Sequence, residues 1–208
     1  MDKMNAISPV NLTDRTVTAG AGAITQNIQQ AARDANLFYP VDFASSGSSQ
    51  IGGNIATNAG GINVIRYGMT REWVAGLTVV TGKGEVLELN KGLMKNNTAL
   101  DFRHLFIGSE GILGFITEAI LKLTAPPKDP TVLVLGLSDM SAIMAVLDRI
   151  QSTTPLLAYE FFSELAVSKV VDHAGVARPF ETRTPFYALV EFERENDMTD
   201  AHVFEAVE

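Results

Sequence analysis

Short apolar runs alternate with polar turns from the first residues onward. Met4–Val10 and Thr16–Ala19 read as short strands separated by a polar turn at Asn11–Arg15, and Gly20 and Gly22 close the second. Ile24, Ile28, Ala31, Ala32 and Ala35 then recur at helical spacing, predicting an amphipathic helix through Thr25–Asn36. Val74, Leu77, Val79 and Val80 form one β-rich run, and Val86, Leu87 and Leu89 form another. Thr81-Gly82-Lys83-Gly84-Glu85 supplies the turn between them, so residues 71–89 read as a hairpin. Asn90–Thr98 is polar and without period. Leu105, Phe106 and Ile107 lead into turn chemistry at Gly108–Gly111. Ile116–Leu123 is a strand with Thr117, Ala119, Leu121 and Leu123 on one face and Glu118, Ile120 and Lys122 on the other.

Pro126, Pro127 and Pro130 mark the clearest boundary, because each removes a donor and fixes φ, so no helix or central strand crosses. Beyond it the pattern predicts a strand at Val132–Leu137, a helix at Ser141–Gln151, a strand at Leu156–Phe162, a helix at Glu164–His173 and a strand at Phe186–Phe192. A last helix begins at Asp200. This alternation predicts a sheet with helices on one side.

Between the first helix and the hairpin lies a run of different texture, Tyr39–Gly61. It holds Gly47, Gly52, Gly53, Gly60 and Gly61 among Ser45, Ser46, Ser48, Ser49, Thr57 and Asn58, with Asp42 its one ionisable group besides Tyr39. Glycine costs conformational entropy on folding, so such a run suits main chain that lies against a ligand and offers it N–H and hydroxyl bonds, including an anion-binding nest. A Gly/Ser linker or a tight structural loop without ligand are the plainer readings. Ile51, Ile55 and Ala56 inside the run argue against the linker.

Composition narrows the function classes. The chain has 208 residues, 46% hydrophobic and 19% charged, enough for one large domain or two small ones. A formal charge of −8 and the lack of a Lys/Arg cluster do not suggest a nucleic-acid surface. Cysteine is absent, which removes disulfides, thiolate metal sites and cysteine nucleophiles. No run is long and apolar enough to span a bilayer, and MDKMNAISPV lacks the features of a signal peptide.

The segments PVDFASSGSSQIGGNIATNAGG, RYG at Arg66–Gly68 and LFIGSEGILGFITEAILKL resemble the FAD-linked oxidases of the vanillyl-alcohol-oxidase type, with their PCMH-type FAD-binding fold. Within these the chain is most similar to D-lactate, glycolate and D-2-hydroxyglutarate dehydrogenases. The match runs collinearly from about Lys3 to Thr124 and is far more specific than a lone glycine motif. AYEFF at Ala158–Phe162 is a weaker marker of the family's cap domain. The resemblance implies an α+β fold: residues 1–125 as the second subdomain of the FAD-binding domain, and residues 131–208 as the incomplete start of an α+β substrate or cap domain. The family's PxGGGT-type diphosphate loop and its HGHxGDGN-like metal and substrate motif are both missing, so the chain is expected to be a fragment.

The resemblance also implies residue roles. Pro40 and Asp42 would start the FAD-contacting turn, and Ser45, Ser46, Gly47 and Ser48 would bond the diphosphate region. Gly52 and Gly53 would let the backbone pass close to the flavin, and Thr57, Asn58, Ala59 and Gly60 would continue the wall. Glu110, Gly111, Gly114 and Ile116 would reach the adenosine side. The family often carries Cys or Thr where Ser49 or Gln50 stands. Because a carboxylate repels a diphosphate, Asp42 is expected to cap local N–H groups or bond a ribose hydroxyl.

Other candidates have plainer explanations. Glu110 could simply cap its turn, and Arg66 and Tyr67 suit a salt bridge as well as a flavin pocket. His104 before an apolar run suits a structural position. Asp172 and His173 are adjacent on a helix and point apart. Trp73 suits packing, and Met140, Met144 and Met198 suit gap-filling. Ser109 lacks nucleophile-elbow spacing. No catalytic residue is assigned and no metal site is expected. The full-length protein is expected to bind FAD non-covalently, to oxidise a D-2-hydroxy acid by hydride transfer to the flavin, and to pass electrons to a quinone or flavoprotein. Another FAD-linked reaction, such as that of aryl-alcohol oxidases or ether-lipid synthases, or an inert folding or interaction module, are the alternatives. The fragment itself is expected to bind FAD weakly or not at all. It is expected to dimerise through an exposed apolar subdomain face, and to be cytoplasmic, with the full-length protein a candidate for peripheral membrane association.

Overall fold

Strand β4 (Phe115–Lys122) is the hub of the first half of the chain. It pairs antiparallel with β1 (Thr16–Gly20) on one side and β2 (Val74–Val80) on the other, and β3 (Val86–Leu89) adds beyond β2, giving the order β1-β4-β2-β3. The computed structural model describes residues 3–194, which divide between Pro126 and Pro127 into two compact units. The expected helix from Asp200, and Met198, lie outside the described residues.

The first unit builds its core on one face of this sheet. Helix α1 (Thr25–Asp34) turns Ile28 and Ala32 inward, as its periodicity requires. Ile51 and Ile55 of α2 (Ile51–Ala56) join Val17, Leu77, Val79, Ile116 and Leu121 in the same cluster. The glycine-rich run therefore contains a helix that its composition does not predict. Two helical glycines cost roughly 1–2 kcal/mol together, whereas fully burying two isoleucines returns about 3–6 kcal/mol, so burial decides the conformation. Three single-turn helices, α3 (Val64–Tyr67), α4 (Thr70–Trp73) and α5 (Arg103–Phe106), connect these elements.

The hairpin forms as the turn chemistry requires: Thr81 N–H donates to Glu85 O at 2.9 Å, and Gly84 takes φ +79°. Met4–Val10 does not become a strand. It forms an isolated bridge, Ile7 to Ala19, with the bonds Ser8 N–H to Thr18 O and Gly20 N–H to Ala6 O. Pro9 has no N–H to continue a ladder.

The second unit has strands β5 (Pro130–Leu137), β6 (Leu156–Ser163) and β7 (Phe186–Glu193) in the order β5-β7-β6, all neighbours antiparallel. Pro130 opens an edge strand, where a missing N–H is tolerated. Helix α6 (Met140–Gln151) is capped by Asp139, which accepts from Ala142 N–H at 3.0 Å, and packs Ile143 and Ile150 against Leu135, Ala188 and Val190. Helix α7 (Glu164–Ala174) is capped by Ser163 and ends at left-handed Gly175. Its Val167 and Val170 line a groove with Val134 and Phe162, whose positions alternate with those facing α6. The helices thus sit on opposite faces, not on one side, because hydrophobic alternation fixes which residues are buried but not which face a connecting helix crosses.

Candidate functional site

The glycine-rich run leaves α1 and returns to its own beginning. Gly61 lies so close to Asp42 that an added Cβ would sit 1.7 Å from the Asp42 carbonyl oxygen, and Ile62 N–H donates to that oxygen at 3.2 Å. The buried Pro40 carbonyl accepts from Asn63 Nδ2 at 3.0 Å. Asp42 Oδ1 accepts from the side-chain amide of Gln29, which also reaches Val41 O, each at 3.0 Å. The partner of Asp42 is thus a buried glutamine on α1, not a local backbone N–H.

Ser45, Ser46, Gly47 and Ser48 fold over the first turn of α1. Thr25 N–H donates to Ser49 O and Gln26 N–H to Ser46 O, both at 3.0 Å, so backbone carbonyls take the place of a side-chain cap. The amides of Ser46, Ser48 and Ser49 turn inward to Phe43 O and Ser45 O. Those of Ile51 and Gly52, opening α2, bond Ala23 O and Ala21 O at 2.9 and 2.8 Å. These five donors are spent inside the protein. The glycines of the run all keep ordinary φ, so none of them supplies the left-handed residue of the alternating-hand nest its composition suggests. Ser45, Gly47 and Ser48 are exposed.

The two helical glycines have different surroundings. A Cβ on buried Gly52 would lie 2.6 Å from Ala21 Cβ, so close packing of α2 explains that glycine. Gly53 is exposed, and a Cβ there meets nothing within 4 Å. Among the described residues no atom requires a glycine at position 53, although it weakens the helix. A space left open beside main chain fits a flat ligand lying against α2. Thr57 Oγ1 returns to Gly53 O at 3.0 Å, and Gly60 is exposed beside Val64 and Met69. Half-buried Asn58 takes φ +48° and its Oδ1 accepts from Arg71 N–H at 2.9 Å, while Ala59 O accepts from Thr70 Oγ1 at 2.7 Å.

The Gly108–Gly111 turn is brought to this surface. Gly108 N–H donates to Ile55 O at 3.0 Å and Glu110 N–H to Ala56 O at 2.9 Å, satisfying carbonyls at the end of α2. Exposed Glu110 and Gly111 both take positive φ. Gly114 packs instead against Val80 O, where a Cβ would lie at 2.9 Å, and the Ile116 side chain is buried in the core. Leu100, Phe102, Leu105, Ile112, Leu113 and Phe115 flank the turn in sequence as exposed apolar side chains.

Several contributors escape a reading by residue type. Gln29, Asn63 and Arg71 hold the site from outside its motif segments, and Asn54 holds it from within one. Asn54 is buried and donates to Thr25 Oγ1 at 2.6 Å, joining α2 to the start of α1. The helical spacing of α1 places Gln29 on the inward face with Thr25 and Ala32, which was the available signal. Among the described residues, no group of three or more His, Asp or Glu side chains could hold a metal ion.

Residues 1–90 match the family model for the FAD binding domain, and residues 126–208 match that for the C-terminal domain of FAD linked oxidases. The chain belongs to the FAD-linked oxidases, and FAD is the cofactor of that family. A D-2-hydroxyglutarate dehydrogenase of Stutzerimonas stutzeri (strain A1501) is 58% identical over 192 residues, covering 92% of this chain and 41% of that protein. One from Xanthomonas citri pv. viticola is 48% identical over all 208 residues, 44% of its own length. Glycolate oxidase subunit GlcD of Bacillus subtilis (strain 168) is 36% identical, covering 85% of this chain and 38% of its own. The chain thus spans less than half the length of these curated relatives. A solved alkyldihydroxyacetonephosphate synthase shares the fold, with a TM-score of 0.77 at 22% identity over 99% of this chain and 40% of its own.

Proposed function

We propose that the intact protein is an FAD-dependent dehydrogenase that oxidises a D-2-hydroxy acid. In this reading residues 1–125 are the second FAD-contacting subdomain and residues 131–208 open the substrate domain. Gly53 carries the reading: a helical glycine at an exposed position, beside a turn anchored on the same helix, which protein packing does not explain. The names of the relatives favour D-2-hydroxyglutarate as the first acid to test, with glycolate and D-lactate next.

Bound non-covalently, FAD supplies the two-electron acceptor. The chain's own contribution is positional. Gly53 and Gly111 leave room for close approach, the exposed serines offer hydroxyls, and Glu110, whose N–H bonds Ala56 O, offers a carboxylate at the C-terminal end of α2. The committed amides of Ser46, Ser48, Ser49, Ile51 and Gly52 leave few donors for a diphosphate, which supports weak FAD binding by this chain alone. The reduced cofactor would pass electrons to a quinone or flavoprotein. The exposed apolar residues around the turn favour burial against another subdomain or a second copy. Among the described residues no helix is long and apolar enough to cross a membrane; a cytoplasmic location with peripheral membrane contact belongs to the same proposal.

The test is reconstitution of the intact protein with FAD, followed by anaerobic addition of each of the three acids without an acceptor. The expected result is a flavin absorbance band that bleaches with D-2-hydroxyglutarate. A colourless protein, or a yellow one inert to all three acids, would refute the assignment.

A further inference from the structure

Arg71 is fixed at both ends. Its backbone N–H is held by Asn58 Oδ1 at 2.9 Å, beside the C-terminal end of α2. Its guanidinium donates to His104 O at 2.9 Å, to Ile107 O at 2.5 Å and to His104 Nδ1 at 3.0 Å. Because an arginine only donates, Nδ1 is the acceptor and the imidazole carries its proton at Nε2, 3.6 Å from Asp101 Oδ2. Three acceptors spread over one turn of chain match the fork of a guanidinium and not the point charge of a lysine.

These contacts bear directly on the Gly108–Gly111 turn. Ile107 immediately precedes it, and Gly108, at φ +84°, lies alongside the guanidinium: a Cβ there would be in ordinary van der Waals contact with Arg71 Nη2 at 3.5 Å and Asn58 Cβ at 3.4 Å. The turn then holds Glu110 at φ +51°, a conformation that disfavours a side-chain-bearing residue and persists only where its surroundings fix it. Arg103 does a separate job. It donates to Val74 O and Ala75 O and pairs with Asp101, tying the preceding segment to β2. Loss of Arg71 would therefore leave the loop attached while the turn kept its two amide bonds to α2 without the guanidinium that braces them.

We propose that Arg71 is a positioning residue that clamps the Gly108–Gly111 turn to the end of α2, so that Gly53, Thr57, Glu110 and Gly111 present one rigid cofactor-facing surface. The inference rests on the cofactor reading above. Its test compares Arg71→Met and Arg71→Lys with wild type in the intact protein, by amide hydrogen exchange and by FAD titration. Both variants are expected to speed exchange at the Gly108 and Glu110 amides, and to weaken FAD binding, by about tenfold each, with β1 and β4 amides unchanged. FAD affinity within about twofold of wild type would overturn the clamp while leaving the cofactor reading intact. Exchange accelerated throughout the first unit would also overturn it, by showing a general stabilising role. A wild type without FAD affinity would remove both the cofactor reading and the role proposed for Arg71.

Discussion

Adjacent glycines in α2 make a matched experiment, because the same substitution meets opposite surroundings. Alanine in place of glycine inside a helix stabilises by roughly 0.5–1 kcal/mol through the unfolded chain. At Gly53 nothing opposes that gain, since the new methyl meets no atom within 4 Å. At Gly52 the methyl would lie 2.6 Å from Ala21 Cβ, 3.0 Å from Ala21 O and 3.2 Å from Ala21 Cα. Carbon atoms settle near 3.5–4.0 Å, so α2 must retreat by about 1 Å, stretching the Gly52 N–H bond to Ala21 O. Overpacking of this kind costs about 1–3 kcal/mol, which outweighs the helix gain. The helix gain is common to both, so the variants should differ by the overpacking cost, roughly 1–3 kcal/mol, with Gly53→Ala above wild type and Gly52→Ala below. Trp73 is the single tryptophan and lies in the first unit, so its fluorescence during thermal unfolding reports that unit alone. A rise of about 1–4 °C is expected for Gly53→Ala. FAD affinity of the intact protein should fall by about tenfold in the same variant, because the methyl occupies the proposed contact face. A Gly53→Ala protein that is more stable and binds FAD as wild type does would refute the argument from open space. One that is less stable would refute the packing analysis itself.

Two further changes probe polar groups. Tyr39 is wholly buried with a hydroxyl that has no partner among the described residues, and burial pushes its phenol above the ordinary tyrosine range. Tyr39→Phe should raise stability by about 1–3 kcal/mol in the same fluorescence assay, and a loss of stability would show that the hydroxyl is satisfied. In the second unit, Glu164 accepts from Arg178, Tyr187 and Ser168, and the Arg178 hydrogen bond foremost lowers its carboxyl to about 2. A carboxyl lowered on folding contributes stability that is complete above the unfolded value near 4.5 and lost as pH falls toward 2. Arg178→Met should therefore flatten the decline in melting temperature between those limits, followed by circular dichroism. An unchanged acid limb would contradict the network.

The hairpin and both capped helices of the second unit were legible because local chemistry and tertiary structure agree there: Gly84 takes the positive φ, and Asp139 and Ser163 stand where caps are needed. Helix α2 was not legible, because Gly52 and Gly53 argue against a helix locally and only the burial of Ile51 and Ile55 reveals it. The run stands out in the sequence for its small residues, yet the reason for them differs from one glycine to the next. Gly52 and Gly61 serve contact with Ala21 and Asp42, and Gly53 alone lacks an internal reason. Arg71 was passed over because its significance lies in carbonyls far along the chain, which residue type does not announce.

The abutment of Gly61 on the Asp42 carbonyl pinches the glycine-rich run at its neck. A loop drawn shut in this way returns the chain to almost the point where it left. Changes of length or composition at its outer rim then need not propagate into the sheet, whose pairing is made by segments on either side. The requirement concentrates at the pinch, where even a single methyl on residue 61 would force the ring open. Relatives that bind the same nucleotide yet act on different molecules could remodel the rim, provided that residue stays bare.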